Sequence, residues 1–331
     1  MRRLVFMLVA LASVARAQGM PDLVLYTPAL AENWHEELKA IQQNDCTLQA
    51  ADLCVDGAGL RKLLRFSVLA LNRGDADLFL GTPTAGDPRF VFSTCHNHFH
   101  FESFARYELR TRGGATVVKT GQKRSFCIED LRTDPDAPFA RTCTGDPDCM
   151  GHGQCANGVC QYNCMYQGIQ PGRGDIYESN LDCQWIDTTD VPPGDYDLWV
   201  LLNTEQLLPE SDYTNDAGMI PVTVGPAADA PVPVVHVRTK RKAKLGKPVK
   251  IRWKTKIKGG RAALAGYDLW LSRDGGATFG ELLATGLAST TRKYKWTAAG
   301  DATDNAVVEV VAWTKALARG QGESHTLRIV P

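Results

Sequence analysis

Three of the chain's seven histidines fall within five positions, in Cys95-His96-Asn97-His98-Phe99-His100. The surrounding stretch, Phe90–Glu108, has β character. On a strand, residues i, i+2 and i+4 share one face. His96, His98 and His100 are therefore expected to converge on one point, with Asn97 and Phe99 facing away. An all-imidazole set suits copper, zinc, iron or nickel. The plainer reading is three unrelated polar side chains on an exposed strand. The scarcity of histidine and the strict period of two weigh against it. The pattern does not choose the metal, because a three-histidine zinc hydrolase site and a type-2 copper site look alike at this level.

The elements that must hold this cluster read as mostly β. Apolar runs such as Lys62–Leu71, Ala115–Thr120, Asp195–Leu202 and Ile220–Val224 are short and separated by Gly, Pro, Asp and Asn. One helix is expected over Ala29–Gln42, where Ala31, Trp34, Leu38 and Ile41 recur at helical spacing. The ten cysteines are Cys46, Cys54, Cys95, Cys127, Cys143, Cys149, Cys155, Cys160, Cys164 and Cys183. An even count in an exported chain reads as five disulfides, whose connectivity spacing alone does not give. Residues 143–164 hold five of the cysteines among Gly, Asp and Asn. So little apolar material needs cystines to hold it, and this stretch reads as a small stapled insert.

Export is expected from the N-terminus. Arg2 and Arg3 precede an apolar run, Leu4–Val14, and Ala15-Arg16-Ala17 supplies small residues for cleavage after Ala17. This reads as a signal peptide, too short to span a bilayer. No cysteine follows the cut to carry a lipid, and no later stretch approaches the roughly 20 apolar residues of a membrane span. The reading is therefore a secreted protein, in the periplasm or at the cell surface.

At 331 residues the chain is long enough for two domains. Lys+Arg and Asp+Glu are both 37, which argues against an obligate nucleic-acid binder. The balance is nevertheless split, at −12 over residues 1–230 and +12 from residue 231 onward. A Pro/Ala linker over 226–233 divides them. Residues 234–331 carry short strands and turns that indicate an immunoglobulin- or fibronectin-III-like β-sandwich. Between Val237 and Arg261 there are twelve Lys/Arg and no acid. That stretch is a solvated face, a site for polyanions such as envelope glycans, or a surface that docks onto the acidic front.

Sequence around and beyond the histidines adds a resemblance. The cluster is followed by Glu102-Ser-Phe-Ala-Arg-Tyr-Glu-Leu109 and Gly121-Gln-Lys-Arg-Ser-Phe-Cys-Ile-Glu-Asp130. Further on come Asp175-Ile-Tyr-Glu-Ser-Asn-Leu-Asp-Cys-Gln-Trp-Ile-Asp187, Thr189-Asp-Val-Pro-Pro-Gly-Asp-Tyr196 and Glu210-Ser-Asp-Tyr-Thr-Asn215. In this order they resemble the catalytic domain of the lysyl oxidase family, over roughly residues 20–225. The implied domain, 18–225, contains the insert. The C-terminal segment, 234–331, lies outside the resemblance.

The resemblance implies a copper amine oxidase with His96, His98 and His100 as copper ligands. It implies a lysyl tyrosylquinone cofactor made from Lys123 and Tyr177. Without it Lys123 would read as solvated surface and Tyr177 as an ordinary strand residue. It implies disulfides Cys46–Cys54 and Cys95–Cys164. The usual partners of Cys127 and Cys183 are missing, with Thr133 and Arg173 near those positions, so Cys127–Cys183 is the expected pair. Cys143–Cys155 and Cys149–Cys160 would close the insert. Calcium is implied at Asp22, the Leu23 carbonyl, Glu210, Asp212, Asn215 and Asp216, an oxygen-only set that suits this ion; an acidic turn is the plain alternative. Two departures stand out: Ser93 and Arg106 occupy positions where animal members have histidine. The catalytic base is then undefined, with Asp187 or another carboxylate available.

The leading expectation is a secreted copper- and quinone-dependent oxidase of primary amines, in particular peptidyl lysine, that releases an aldehyde, hydrogen peroxide and ammonia. An acidic front favours cationic substrates. With no animal-type pro-region it reads as an exported bacterial protein. The alternatives are a non-catalytic metal-binding envelope or adhesion protein that keeps the fold, and a zinc hydrolase that would leave Lys123 and Tyr177 without a role.

Overall fold

The computed structural model describes residues 19–49, 52–123 and 126–331. The expected signal peptide, 1–17, lies outside the described residues. Among these the chain is nearly all strand and loop, with one six-residue helix, Thr27–Glu32.

The expected helix over Ala29–Gln42 is corrected. The helix stops at Glu32, and His35–Ile41 is a strand. It pairs antiparallel along its whole length with Gly59–Arg65, from His35↔Arg65 to Ile41↔Gly59. A ladder of that length outweighs the modest preference of a short helical pattern. Glu37 is then satisfied by Arg65 across the strands.

The N-terminal part is built from small antiparallel sheets around one core. One sheet runs Leu23–Leu25, Val68–Asn72, Arg173–Tyr177, Arg132–Thr133; a second runs Trp185–Asp187, Gly59–Arg65, His35–Ile41. A third runs Ala217–Val224, Gly194–Leu202, Ala105–Thr111, Val117–Thr120. Phe66, Phe101, Phe104, Tyr107, Phe126 and Tyr177 meet in the core between them. A hairpin, Phe90–Ser93 with His98–Phe101, closes one side.

Five disulfides form: Cys46–Cys95, Cys54–Cys183 and Cys127–Cys164 join distant segments, and Cys143–Cys155 and Cys149–Cys160 close the insert. The expected Cys46–Cys54, Cys95–Cys164 and Cys127–Cys183 pairs are therefore corrected. The loop carrying Cys46 and Cys54 is wedged between two neighbours. It reaches the histidine turn through Cys95 and the Asp-Cys-Gln-Trp segment through Cys183. Cys127 is left beside Cys164, with a Cα–Cα distance of 5.2 Å.

Residues 234–331 form a three-stranded sheet, Val234–Arg238, Pro248–Lys256, Lys293–Thr297, facing a six-stranded one. Trp253, Tyr267, Trp296 and Leu327 fill the core between them. This part meets the N-terminal part through Leu60, Val311 and Trp313, with Leu38, Ala40 and Trp270 packed around them. The Asp268 carboxylate accepts the Leu60 N–H at 2.7 Å. Among the described residues this contact runs through an apolar strip and the Leu60–Asp268 hydrogen bond.

Candidate metal and cofactor site

His98 and His100 lie on the strand His98–Phe101, but His96 does not. It occupies the turn before it, so the expectation of three histidines on one strand face is corrected. The turn still brings all three together. His96 Nδ1 is 3.2 Å from His100 Nε2, and His100 Nε2 is 3.1 Å from His98 Nε2. One ring nitrogen from each falls in a cluster less than 4.8 Å across. With their lone pairs turned inward, the three nitrogens form a set that can hold one metal ion.

The turn is made by Asn97 and Asp52. Asn97 adopts φ 58°, a left-handed conformation that asparagine tolerates. Its N–H donates to the Ser93 carbonyl at 2.9 Å. Asp52 accepts from the Ser93 hydroxyl, from Thr94 Oγ1 at 3.2 Å and from the Cys95 N–H at 3.2 Å. Ser93 Oγ in turn accepts the His96 N–H at 3.0 Å. The departure at Ser93 therefore has a local use: a buried hydroxyl that fixes the His96 backbone. Asp52 was not legible as a site residue, since nothing in its neighbourhood marks it.

Phe126 joins the hairpin to the cofactor residues. It exchanges backbone hydrogen bonds with Phe101, at 2.6 and 3.0 Å, and its ring meets Tyr177 edge-on, with centroids 4.6 Å apart. Lys123 Nζ lies 4.7 Å from the Phe126 ring centre and 5.5 Å from that of Tyr177. Lys123 and Tyr177 are thus brought side by side. Burial pulls the Lys123 amine down to about 8, against the opposing pull of Asp175, Asp52 and Asp182. Burial, with the Lys123 charge, also lowers all three imidazoles, so they are held neutral and ready to ligate.

Tyr177 ends the strand Arg173–Tyr177, with Asp175 two residues earlier on the same face. Asp175 is 1% exposed and Tyr177 7%. The Tyr177 hydroxyl touches both the Cys127 carbonyl and Asp175 Oδ2. Burial, with the neighbouring Glu129 and Asp130 charges, raises the Asp175 carboxyl far above the usual carboxylate range. A phenol has one hydrogen to give. With Asp175 protonated, Tyr177 donates to Cys127 and Asp175 donates to the phenol oxygen. Asp175 Oδ1 is buried with no partner. Sequence reasoning did not name Asp175; its spacing of two from Tyr177 on a strand was the available signal. Asp187 is occupied instead, by Arg61 at 2.8 Å and by Thr189. Arg106 points outward and pairs with Glu108 at 2.6 Å.

The oxygen-rich set gathers elsewhere. Glu210 accepts the Leu23 N–H at 2.8 Å, and Asn215 Nδ2 donates to Asp22 at 3.3 Å. Burial and the Glu210, Asp22 and Asp212 charges push Asp216 up to about 8. Asn215 Oδ1 and Asp216 Oδ1 are buried without partners. Asp212 itself is exposed and caps its own turn through Thr214.

Comparison with known proteins places the sequence in one family. The Lysyl oxidase family model covers residues 24–224, so the chain belongs to the lysyl oxidase family. Lysyl oxidase homolog 2 of Xenopus laevis is 34% identical over 212 residues, 62% of this chain and 25% of that protein. The Homo sapiens protein of that name is 35% identical over 212 residues, 62% of this chain and 24% of its own length. The chain spans about a quarter of the length of these relatives. The C-terminal residues 234–331 lie outside the family match.

Proposed function

We propose that the chain is a copper-dependent amine oxidase of the protein-lysine 6-oxidase type, which converts peptidyl lysine and other primary amines to aldehydes. The observation that carries this reading is the Lys123 amine beside the Tyr177 ring, next to three neutral imidazoles. The donor set fits copper, and His96, His98 and His100 would hold it. A lysyl tyrosylquinone formed from Lys123 and Tyr177 would supply the electron sink for amine oxidation, with oxygen as the final acceptor.

The chain's own residues have separable tasks. Lys123 must be neutral for its nitrogen to bond to the Tyr177 ring, and its lowered pKa favours that form. Asp175, protonated at rest, sits on the phenol oxygen, and its carboxylate, once that proton has passed on, is the base we assign for the substrate carbon. Glu129, raised to about 6 by burial and by Asp130, donates its backbone N–H to Asp175 at 3.2 Å. Phe126 packs against both members of the pair.

The same reading has the chain exported through residues 1–17, with a catalytic domain over 18–225 and an immunoglobulin- or fibronectin-III-like domain over 234–331. Calcium would be held by Asp22, the Leu23 carbonyl, Glu210, Asn215 and Asp216, with Asp212 at the rim. The unpartnered Asn215 and Asp216 oxygens support this assignment. The test is hydrogen peroxide release by copper-loaded protein with a lysine-containing peptide. Amine-dependent release, blocked by a carbonyl reagent, is expected. No release from protein with full copper occupancy would reject the reading.

A further inference from the structure

The sheet of Val234–Arg238, Pro248–Lys256 and Lys293–Thr297 alternates strictly between core and solvent. Val235, Val237, Val249, Ile251, Trp253 and Trp296 point inward. The outward positions carry His236 and Arg238; Lys250, Arg252, Lys254 and Lys256; Lys293 and Lys295, all exposed. No Asp or Glu occurs in the three strands. The register turns this into a grid: Arg252 lies opposite Arg238 on one side and Lys293 on the other, Lys250 opposite Lys295, and His236 opposite Lys254. Among the described residues none of these seven Lys and Arg side chains is in an ion pair.

Like charges directly opposite on a sheet repel, and a surface that only needs solubility mixes its signs. This face sets like charges opposite one another and does not mix its signs, so a bound polyanion is what would relieve it. The face carries no aromatic side chain, which removes the stacking platforms that unpaired bases need, and the exposed Val234 lies at the first position of its strand. What remains is a flat lattice of cations, about 4.8 Å apart across strands and about 7 Å apart along them. That spacing suits an extended chain with anionic groups at intervals. The five disulfides also mark an oxidising compartment, outside the reach of cytosolic nucleic acid.

We propose that this sheet face docks a linear polysaccharide bearing sulfate or carboxylate groups, and so anchors the oxidase to an anionic matrix. The face stays clear of the contact with the N-terminal part, where Val311 and Trp313 of the other sheet pack against Leu60.

The test uses the whole chain with heparin as the sulfated probe and polygalacturonate as the carboxylated one. A triple variant, Arg252→Thr, Lys254→Thr and Lys295→Thr, is compared with a control that removes the same charge elsewhere, Lys242→Thr, Lys244→Thr and Arg328→Thr. The face variant is expected to weaken binding at least about tenfold and to lower the slope of log K against log salt by about three, one per cation removed. The control should keep wild-type binding, and amine oxidation should be unchanged in both. Equal losses in the two variants would reduce the effect to net charge and overturn the proposal. So would wild-type binding by the face variant. Face-dependent binding that is tighter to phosphatidylserine vesicles or to oligo-dT than to either polysaccharide would overturn the choice of partner.

Discussion

The Tyr177 hydroxyl and the Asp175 carboxyl lie two residues apart on one strand face and are hydrogen bonded to each other in the protein interior. Burial raises both groups far above their ordinary values. A carboxyl held in this way keeps its proton at rest, and once that proton has passed on, its carboxylate is a strong base beside the cofactor precursor.

Asp175→Asn keeps the shape and removes the base. Copper content should stay at one per chain, while turnover per carbonyl-reactive cofactor should fall by about 10²–10⁴, the usual worth of a positioned general base. Titrating the cofactor with a hydrazine separates formation from turnover. Wild-type turnover in this variant would remove Asp175 from the chemistry.

Cross-linking should depend on pH through Lys123. Burial lowers its amine to about 8, so the protonated form predominates below that value. The rate of cross-link formation should rise as pH increases from 6 towards about 8 and level off above it. A bound cupric ion acts in the same direction as burial and would move the midpoint lower. A rate that falls with rising pH over this range would contradict the assignment.

Asp216 gives a stability prediction with a definite sign. Its folded-state pKa is raised to about 8, so its contribution to stability is present below the ordinary carboxyl range. It is lost as pH rises through about 8. Calcium-free protein should therefore melt at lower temperature at pH 8 than at pH 5. Added calcium should raise the melting temperature, with a larger gain at the higher pH. Thermal scans with calcium and with chelator check this. No calcium-dependent gain at pH 8 would leave the acidic turn as a plain turn.

The Cys54–Cys183 bond closes a loop of 129 residues in sequence separation. Chain entropy assigns such a bond up to about 5 kcal/mol. Cys54→Ala with Cys183→Ala should lower stability by several kcal/mol, measured by denaturant unfolding. It should also slow copper loading, because the same loop carries Asp52 and braces the His96 turn.

The histidines were legible because chemistry and spacing coincide in them. Their exact placement was not: period two suggested a strand, whereas Asn97 turns the chain and puts His96 outside it. The helix expected over Ala29–Gln42 failed for a related reason. Ala31, Trp34, Leu38 and Ile41 fit a helical period, but the pattern is blind to the partner strand Gly59–Arg65. Asp52 and Asp175 act through packing and hydrogen bonds made across more than forty residues or inside a buried face, which composition does not record. The disulfide partners of Cys46, Cys54, Cys95, Cys127, Cys164 and Cys183 are likewise set by which loops the sheets bring together.

The central claim is that Lys123 and Tyr177 become one cofactor beside the histidines. Peptide mass spectrometry on copper-loaded, disulfide-intact protein tests it most directly, with Lys123→Ala and Tyr177→Phe alongside. The account predicts a cross-linked Lys123–Tyr177 peptide carrying the quinone mass change, absent from both variants. Two separate, unmodified peptides from protein with full copper occupancy would contradict it.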